Sequence, residues 1–363
     1  MSTLEPRRLA GQLLITGFDG DRLSDATREA LARGERAGCI LFKRNLPTLE
    51  AAAALTASIV GAAREADSEL EPIVAIDEEG GRVSRLPSPF VKLPPMRELG
   101  RIDDLGLTRR AGHAVGAVLR GLGFNLDFAP ILDVDSNPAN PIIGDRSFSH
   151  DPAAATAHAL AFAAGLGDGG VLACGKHFPG HGDTDLDSHL ALPRVAHPRE
   201  RLDRVELAPF AAAARASIDS IMSAHVVIEA LDRDRPATLC RSAMTTLLRE
   251  ELGFRGVLVS DDLEMRAVAD LAPVEALATG AIEAGCDVLL VCREEALADR
   301  ALDALADAIE RDPAFRARCE QAAARMRSMR LRAAELAKTA TRAQAPSMNE
   351  LHAAIRAAGA GLS

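Results

Sequence analysis

The sequence predicts an α/β fold in which eight parallel strands and the helices between them form a single (β/α)8 TIM-like barrel. Three observations support this class. Short apolar runs alternate with longer segments of helical period, there are eight such runs, and no linker rich in Gly, Ser or Pro divides the 363 residues. Strands that alternate with helices indicate parallel βαβ units. An open, doubly wound sheet is the rival arrangement of the same elements.

The predicted strands are short and mostly apolar. They lie at residues 12–18, 39–42, 73–76, 125–134, 171–174, 220–224, 256–259 and 286–291. The clearest amphipathic stretches between them predict helices at residues 104–122, 152–164, 199–216, 242–252, 265–284 and 294–311. A GxGxxG sequence at residues 165–170 follows a helix and precedes a strand, which is the wrong order for a dinucleotide fingerprint. We interpret it as a helix C-cap and turn.

Two segments fall outside this alternation. Four prolines within residues 84–99 predict an irregular loop over the barrel mouth. The chain after Cys319 is rich in arginine, which favours a solvated helix face over a basic contact surface at Arg325, Arg327, Arg330 and Arg332. We therefore expect the barrel to span residues 1–335 and a C-terminal helical tail, packed on the barrel, to span residues 336–363.

Composition excludes several classes of function. With 42 basic and 52 acidic side chains, the net charge of −10 works against nucleic acid or an anionic membrane as a partner. No apolar run approaches the length of a membrane span, and the N-terminus lacks the apolar core of a signal peptide. Six scattered cysteines without a CxxC pair indicate reduced, buried thiols in a cytoplasmic protein. The absence of Trp and Tyr counts against a sugar site built from stacking aromatic rings.

Polar residues follow five of the predicted strands directly. These polar residues are residues 77–82, the aspartates within 127–135, residues 176–183, His225 and residues 260–264. In a barrel the carboxyl ends of the strands converge on one face, where active sites lie. Because burying so many charged groups beside apolar strands is costly, this pattern favours an enzyme over a structural protein.

The densest polar segment is KHFPGHGDTDLDSH at residues 176–189. One interpretation is a metal site, whose candidate ligands are His177, His181, Asp183, Asp185, Asp187 and His189. The other is a catalytic dyad in which the Asp187 carboxylate orients and charges the His189 imidazole for general acid–base work. The segment has no HExxH, HxH or CxxC spacing, which weakens the metal interpretation. The residues alone leave the two near parity.

A second acidic segment, VLVSDDLEM, ends the strand predicted at residues 256–259. A carboxylate held at the end of a buried strand can act as a nucleophile toward an anomeric carbon. Asp261, Asp262 and Glu264 are the candidates, and one of these acids is expected to cap the following helix instead. The chain has neither a GxxxxGK[ST] phosphate loop nor a GxSxG elbow, so P-loop and α/β-hydrolase functions lack support.

Several motifs together resemble the family 3 glycoside hydrolases, and more narrowly the bacterial β-N-acetylhexosaminidases of peptidoglycan recycling. In chain order they are IDEEGGRVSRL (76–86), NLDFAPILDVD (125–135), GDRSFS (144–149), KHFPGHGDTDLDSHLALP (176–193), MSAHV (222–226) and VSDDLEM (259–265). The resemblance covers roughly residues 10 to 300. The block at residues 176–193 is its most specific part.

The resemblance implies roles for individual residues. By motif, His189 is the proton donor and then the base, Asp187 is its partner, and Asp261 is the nucleophile. The residues implied to hold a terminal N-acetylglucosamine are Asp77, Arg85, Arg146, Lys176 and His177. The resemblance implies no cofactor and no metal. It implies a monomer or weak homo-oligomer whose partner is the sugar substrate.

The implied reaction is exo-acting hydrolysis, with retention of configuration, of N-acetylglucosamine β-1,4-linked to anhydro-N-acetylmuramic acid, with or without its peptide. An enclosing pocket that hydrogen-bonds one sugar needs no aromatic platform. Some relatives with a histidine acid–base transfer the sugar to phosphate, so a phosphorylase is the alternative, and a metal-dependent hydrolase that uses the His/Asp segment is a further one.

Overall fold

Eight parallel strands close into a barrel in the computed structural model, which describes residues 4–67, 69–186, 188, 192–340 and 345–360. The barrel strands are β1 (Leu14–Thr16), β2 (Gly38–Leu41), β3 (Ile73–Ile76), β4 (Leu126–Asp127), β5 (Leu172–Phe178), β7 (Ser220–Ser223), β9 (Val257–Asp262) and β10 (Val288–Val291). They follow one another in chain order around the barrel. Two further short strands, β6 (Arg194–Val195) and β8 (Val227–Ile228), pair with each other outside it.

Closure between the first and last strands confirms the barrel and excludes the open sheet. Leu14 pairs with Leu289 and Thr16 with Val291, so no edge strand is left. All eight predicted strands are barrel strands. The strands predicted at 12–18 and 125–134 are shorter in the structure, whereas β5 and β9 continue past their predicted ends to Phe178 and Asp262. In β4 the run meets Pro130, which has no N–H to donate.

Helices surround the barrel. Their bounds are α1 (Pro6–Gly11), α2 (Asp25–Ala32), α3 (Leu49–Ala63), α4 (Met96–Ile102), α5 (Leu105–Gly121), α6 (Pro152–Asp168), α7 (Arg199–Arg204), α8 (Ala208–Arg215), a π-helix (Ser242–Glu251), α9 (Arg266–Ala269), α10 (Val274–Ala284), α11 (Glu295–Arg311), α12 (Pro313–Thr339) and α13 (Met348–Ala360). The interpretation of GxGxxG is confirmed, since Gly169 is the C-cap of α6 and Gly170 has φ +92°.

Prolines account for three differences from the predictions, two in helices and one in a loop. The helix predicted at 199–216 is two helices, and Pro209 lies in the first turn of the second. The helix predicted at 265–284 is also two, with Pro273 as the N-cap of α10. The loop predicted at 84–99 ends early, because Pro95 is the N-cap of α4. Proline breaks a helix when it falls inside one but starts a helix well.

Helix α12 closes the barrel at the N-terminal ends of the strands. Its buried side chains Met326, Met329, Ala333 and Leu336 belong to the same apolar cluster as the inward-facing residues of the strands. Its arginines bind the segments that precede the strands. Arg330 donates to the carbonyls of Leu70 and Glu71 just before β3.

The same helix corrects the prediction of a solvated arginine face. Arg330 is only 7% exposed. Arg325 Nη1 lies 2.9 Å from Oδ1 of Asp287, a fully buried carboxylate that also binds Arg249 and Arg318. Exposed positions remain at Arg327 and Arg332. Cationic groups placed under a barrel can satisfy the carbonyl oxygens that precede its strands, and a sequence pattern does not reveal those acceptors.

The chain after the barrel continues in helices. Residue 336 lies inside α12, so the predicted division between residues 335 and 336 falls within one helix. Helix α13 packs against α4 and α5, and His352 Nε2 lies 2.9 Å from the carbonyl oxygen of Lys92. In the part of the chain that the structure describes, no helix is both long and apolar enough to cross a membrane.

All six cysteines are free and buried, as predicted. Burial raises the pKa of the thiols of Cys39, Cys174, Cys286 and Cys319 to about 12. They are therefore protonated, unreactive core residues at neutral pH.

Candidate active site

Most of the predicted site residues meet at the C-terminal face of the barrel. Asp77 follows β3, Lys176 and His177 lie toward the end of β5, and Asp261 lies near the end of β9. Arg85 and Arg146 reach the same face from the segments that follow β3 and β4. Asp187 and His189, the predicted dyad, lie outside the described residues.

Four of these residues form an ion network around one glutamate that the prediction missed. The ammonium nitrogen of Lys176 lies 2.7 Å from Asp77 Oδ1 and 2.6 Å from Glu79 Oε1. Arg146 binds Glu79 through two nitrogens, each at 2.8 Å. Arg85 completes the network, with Nη2 3.6 Å from Asp77 Oδ2.

Opposite charges keep this buried network ionised. Burial alone would raise the pKa of Asp77 and Glu79, but Lys176 and the arginines outweigh burial and lower both. Burial would lower the pKa of Lys176, yet Asp77 and Glu79 outweigh it and raise that pKa. The site therefore holds fixed charges at neutral pH, with oxygens that can accept and nitrogens that can donate hydrogen bonds to a polar ligand.

Glu79 could have been found from strand periodicity. Side chains two positions apart at a strand end point the same way, so Glu79 accompanies Asp77 while Glu78 points elsewhere. Glu78 Oε2 accepts the backbone N–H groups of Arg85 at 2.8 Å and Leu86 at 3.1 Å. It therefore fixes the segment that delivers Arg85 to the site.

His177 is oriented by a carboxylate of its own. Its Nδ1 lies 2.7 Å from Oδ2 of Asp133, which is buried at the end of the segment after β4. The backbone N–H groups of His177 and His181 also donate to Asp133, at 3.1 and 2.7 Å. Burial would raise the pKa of Asp133, but the facing His177 outweighs it and lowers that pKa. With Nδ1–H donated to Asp133, Nε2 of His177 makes no hydrogen bond to a residue that the structure describes.

The three acids after β9 have different environments. Asp262 Oδ1 accepts backbone N–H groups from Glu264 at 3.1 Å and Cys292 at 3.2 Å, and burial raises the pKa of Asp262 to about 7. Glu264 likewise accepts the backbone N–H groups of Arg293 and Glu294. The prediction that one of these acids caps the following helix is wrong, because the N-cap of α9 is Met265 and has no side-chain cap, and both acids hold backbone turns instead.

Asp261 instead lies half-buried at the strand end. Its Oδ1 accepts the N–H of Asp262 at 2.8 Å, and its own N–H donates to Ser223 Oγ at 3.3 Å. His225 supports the same strand by a 2.9 Å hydrogen bond from Nε2 to the carbonyl of Asp262. Strand β7 and His225 thus fix the backbone that carries Asp261, and the charge of Asp261 acts on the pKa of the nearby His181.

The histidine-rich segment does not gather metal ligands among the residues described. Both ring nitrogens of His181 are hydrogen-bonded, to Thr184 Oγ1 at 2.7 Å and to Ser188 Oγ at 3.0 Å. His197 binds Asp183. Within the described ranges, no three His, Cys, Asp or Glu side chains lie together as metal ions require. Two of the predicted ligands, Asp187 and His189, fall outside those ranges.

Comparison with known proteins gives consistent matches. The N-terminal domain of glycosyl hydrolase family 3 matches residues 7–329. A β-hexosaminidase of Chromobacterium violaceum is 39% identical over 298 residues, which cover 80% of this chain and 81% of that protein.

Solved structures agree with this assignment. A glycoside hydrolase family 3 β-N-acetylglucosaminidase from Paenibacillus sp. str. FPU-7 superposes with a TM-score of 0.91 at 38% identity, over 98% of this chain and 69% of that chain. Native NagZ from Neisseria gonorrhoeae superposes with a TM-score of 0.73 at 32% identity, over 87% of this chain and 98% of its own. Family match, identity and barrel together show that the chain belongs to family 3 of the glycoside hydrolases and is a glycoside hydrolase.

Proposed function

We propose that the chain is an exo-acting, retaining β-N-acetylhexosaminidase that removes terminal N-acetylglucosamine from muropeptides. Its substrate is N-acetylglucosamine linked to anhydro-N-acetylmuramic acid, with or without peptide, and its place of action is the cytoplasm. The names of the relatives support the sugar. The observation that carries the proposal is the placement of the ion network and of Asp261 at the same end of one closed barrel.

The ion network binds the sugar. Asp77 and Glu79 are fixed as acceptors, and Lys176, Arg85 and Arg146 as donors, so hydroxyl groups of the ring meet oriented partners without reorganisation. His177 adds the Nε2 atom that Asp133 leaves available. A pocket of this kind encloses one terminal sugar, which accounts for exo action.

The reaction proceeds in two displacements. An Asp261 oxygen attacks the anomeric carbon while the bond to the leaving oxygen breaks, and His189, as imidazolium, gives its proton to that oxygen. Water then attacks the glycosyl–Asp261 ester, His189 accepts a proton from this water, and the Asp261 carboxylate is released. Two inversions retain the configuration. Asp187 stabilises the charged imidazole and so assists the acid step more than the base step.

Turnover of aryl N-acetyl-β-glucosaminide, compared with the matching aryl β-glucoside, tests the proposal first. We expect release of the chromophore from the N-acetyl sugar alone, with the β anomer of N-acetylglucosamine as the first product detected by NMR. Phosphate dependence, with glycosyl phosphate as product, would instead identify a phosphorylase. Loss of activity with EDTA would identify a metal-dependent hydrolase.

A matched pair of variants tests the nucleophile. Asp261→Asn should lower kcat by about 10³-fold or more, because an amide does not form the glycosyl ester. Asp262→Asn, at the adjacent position, keeps an oxygen for the backbone N–H groups and should stay within about tenfold of the parent. Undiminished turnover by Asp261→Asn would overturn the mechanism. Release of N-acetylglucosamine from the disaccharide with and without peptide tests the substrate.

A further inference from the structure

Every polar group of His181 takes part in a hydrogen bond. Its N–H donates to Asp133 Oδ1 at 2.7 Å, and its carbonyl accepts from Asn140 Nδ2 at 2.8 Å. Its ring binds Thr184 on one side and Ser188 on the other. The side chain is 1% exposed and lies edge-on to His177, with ring centroids 5.9 Å apart. A ligand therefore does not reach the imidazole ring. Any effect of His181 on a ligand is exerted through the residues that His181 binds.

Ser188 is held on its other side by the segment that follows the nucleophile strand. It is 2% exposed, and its carbonyl accepts the N–H of Ala267, in α9, at 3.3 Å. The ring of His181 and helix α9 thus bind the same residue from two directions. In the sequence, Ser188 stands between Asp187 and His189.

The ring is neutral over the physiological range. Burial and the neighbouring His177 lower the pKa of His181 to about 4. A neutral imidazole has one N–H donor and one bare nitrogen acceptor. Because hydroxyl groups can either donate or accept, Thr184 and Ser188 satisfy both nitrogens.

We propose that His181 is a positioning residue for the acid step, acting through the hydrogen bond that joins its Nε2 atom to the hydroxyl of Ser188. This inference rests on the proposed function, since it supposes that the neighbours of Ser188 in the chain carry the proton. Fixing Ser188 limits where the adjacent side chains can reach. Releasing it lowers the fraction of encounters in which the proton donor meets the leaving oxygen.

Two substitutions of His181 separate the two ring contacts. The amide of glutamine reaches the place of Nε2, so His181→Gln keeps a partner for Ser188. The amide of asparagine reaches the place of Nδ1, so His181→Asn keeps a partner for Thr184 only. Ser188→Ala removes the same contact from the other side.

The readout is kcat/KM for aryl N-acetyl-β-glucosaminides of graded leaving-group acidity. For poor leaving groups, which need the proton, His181→Asn and Ser188→Ala should lose about 10- to 100-fold. For a dinitrophenyl leaving group, which needs none, both should stay within about threefold of the parent. His181→Gln should stay near the parent throughout, and inhibition by N-acetylglucosamine should be unchanged in all three.

The double variant His181→Asn with Ser188→Ala should be no worse than either single variant, because both remove one interaction. Equal losses for His181→Gln and His181→Asn, or a loss independent of the leaving group, would overturn the inference. Failure of the proposed function has a different signature. In that case the parent enzyme lacks turnover, or Asp261→Asn retains it.

Discussion

Glu79 joins two buried cations, Lys176 and Arg146, in one ion network. Arg146 binds it through two nitrogens and Lys176 through one, and its side chain is 2% exposed. Three charge-assisted hydrogen bonds on one carboxylate keep Lys176 and Arg146 in fixed positions. The residue thus determines the geometry of the proposed sugar site whether or not it touches the sugar.

Glu79→Gln should therefore destabilise the protein by about 3–5 kcal/mol at pH 7, because two buried cations lose their common anion. The folded state lowers the pKa of Glu79 below its ordinary 4.5. Its contribution is accordingly complete above about pH 4.5 and is lost as the pH falls toward the folded value. Urea unfolding at several pH values measures this.

The difference in unfolding free energy between the parent and Glu79→Gln should be constant from pH 7 to 5 and should shrink below about pH 4.5. Glu98→Gln, at a half-exposed glutamate on α4, is the control and should change stability by less than about 0.5 kcal/mol. A gap that widens on acidification would show that Glu79 is not ionised in the folded protein.

His181 makes a second, separate contribution to acid sensitivity. The unfolded chain takes up a proton near pH 6.5, whereas the folded protein holds the pKa of His181 at about 4. The unfolded state therefore binds more protons between these values, and stability falls as the pH decreases from 6.5 to 4. The difference corresponds to about 3 kcal/mol.

In His181→Gln, the part of the stability loss at acidic pH that comes from His181 should disappear, because glutamine does not titrate. Unfolding free energies at pH 7, 5.5 and 4.5 would measure it, and the variant curve should be flatter than that of the parent. Parallel curves would mean that the ring is already charged in the folded state.

The sequence predicted some residues of the candidate site and missed others. Strand ends and motifs predicted Asp77, Lys176 and Asp261 at the C-terminal face of the barrel, where the structure places them, because polar residues directly after apolar runs are visible in a linear pattern. Glu79 was missed, although the alternation of side chains that accompanies Asp77 at the strand end also selects Glu79 over Glu78. The partners of Lys176 come from an element about a hundred residues away, and no local pattern encodes such a contact.

At the scale of elements, the strands were predictable. The floor of the barrel, which is helix α12 at the N-terminal ends of the strands, was not. Eight apolar runs identified all barrel strands because strands buried on both faces are continuously apolar. Helix α12 carries arginines on every side, so its pattern indicated solvent. The structure shows that Met326 and Met329 face the barrel while Arg330 binds carbonyl groups beneath β3.

Two positions on α12 test this floor. Met329 is 4% exposed in the cluster of the barrel interior, and Leu331, two residues later, is 49% exposed. Met329→Ala should lower the unfolding free energy by about 2–5 kcal/mol, because it opens a cavity beneath the strands. Leu331→Ala should change it by less than about 0.5 kcal/mol. Similar losses for both would place α12 away from the barrel.

At the scale of the whole molecule, stability and chemistry occupy opposite ends of the barrel. The predicted site residues that the structure describes lie at the C-terminal ends of the strands or in the segments that follow them, while α12 seals the N-terminal ends. Substitutions at the floor are expected to affect folding, and substitutions at the mouth to affect turnover.

Met329→Ala should accordingly keep kcat and KM within about twofold of the parent at 25 °C, where it remains folded, although it unfolds at a lower temperature. Initial rates on an aryl N-acetyl-β-glucosaminide and thermal unfolding of the same preparation test this. A tenfold fall in kcat without loss of folded protein would mean that the floor is coupled to the mouth.

The burial of all six cysteines makes the native protein a convenient scaffold for chemical labelling. Thiols with pKa values near 12 hardly form thiolate at neutral pH, so a maleimide reagent should leave the folded chain almost unmodified. A single cysteine introduced by Leu186→Cys, at a position 46% exposed and two residues before Ser188, would then be the preferred target. A fluorophore there would report sugar binding by an emission change without prior removal of the natural cysteines.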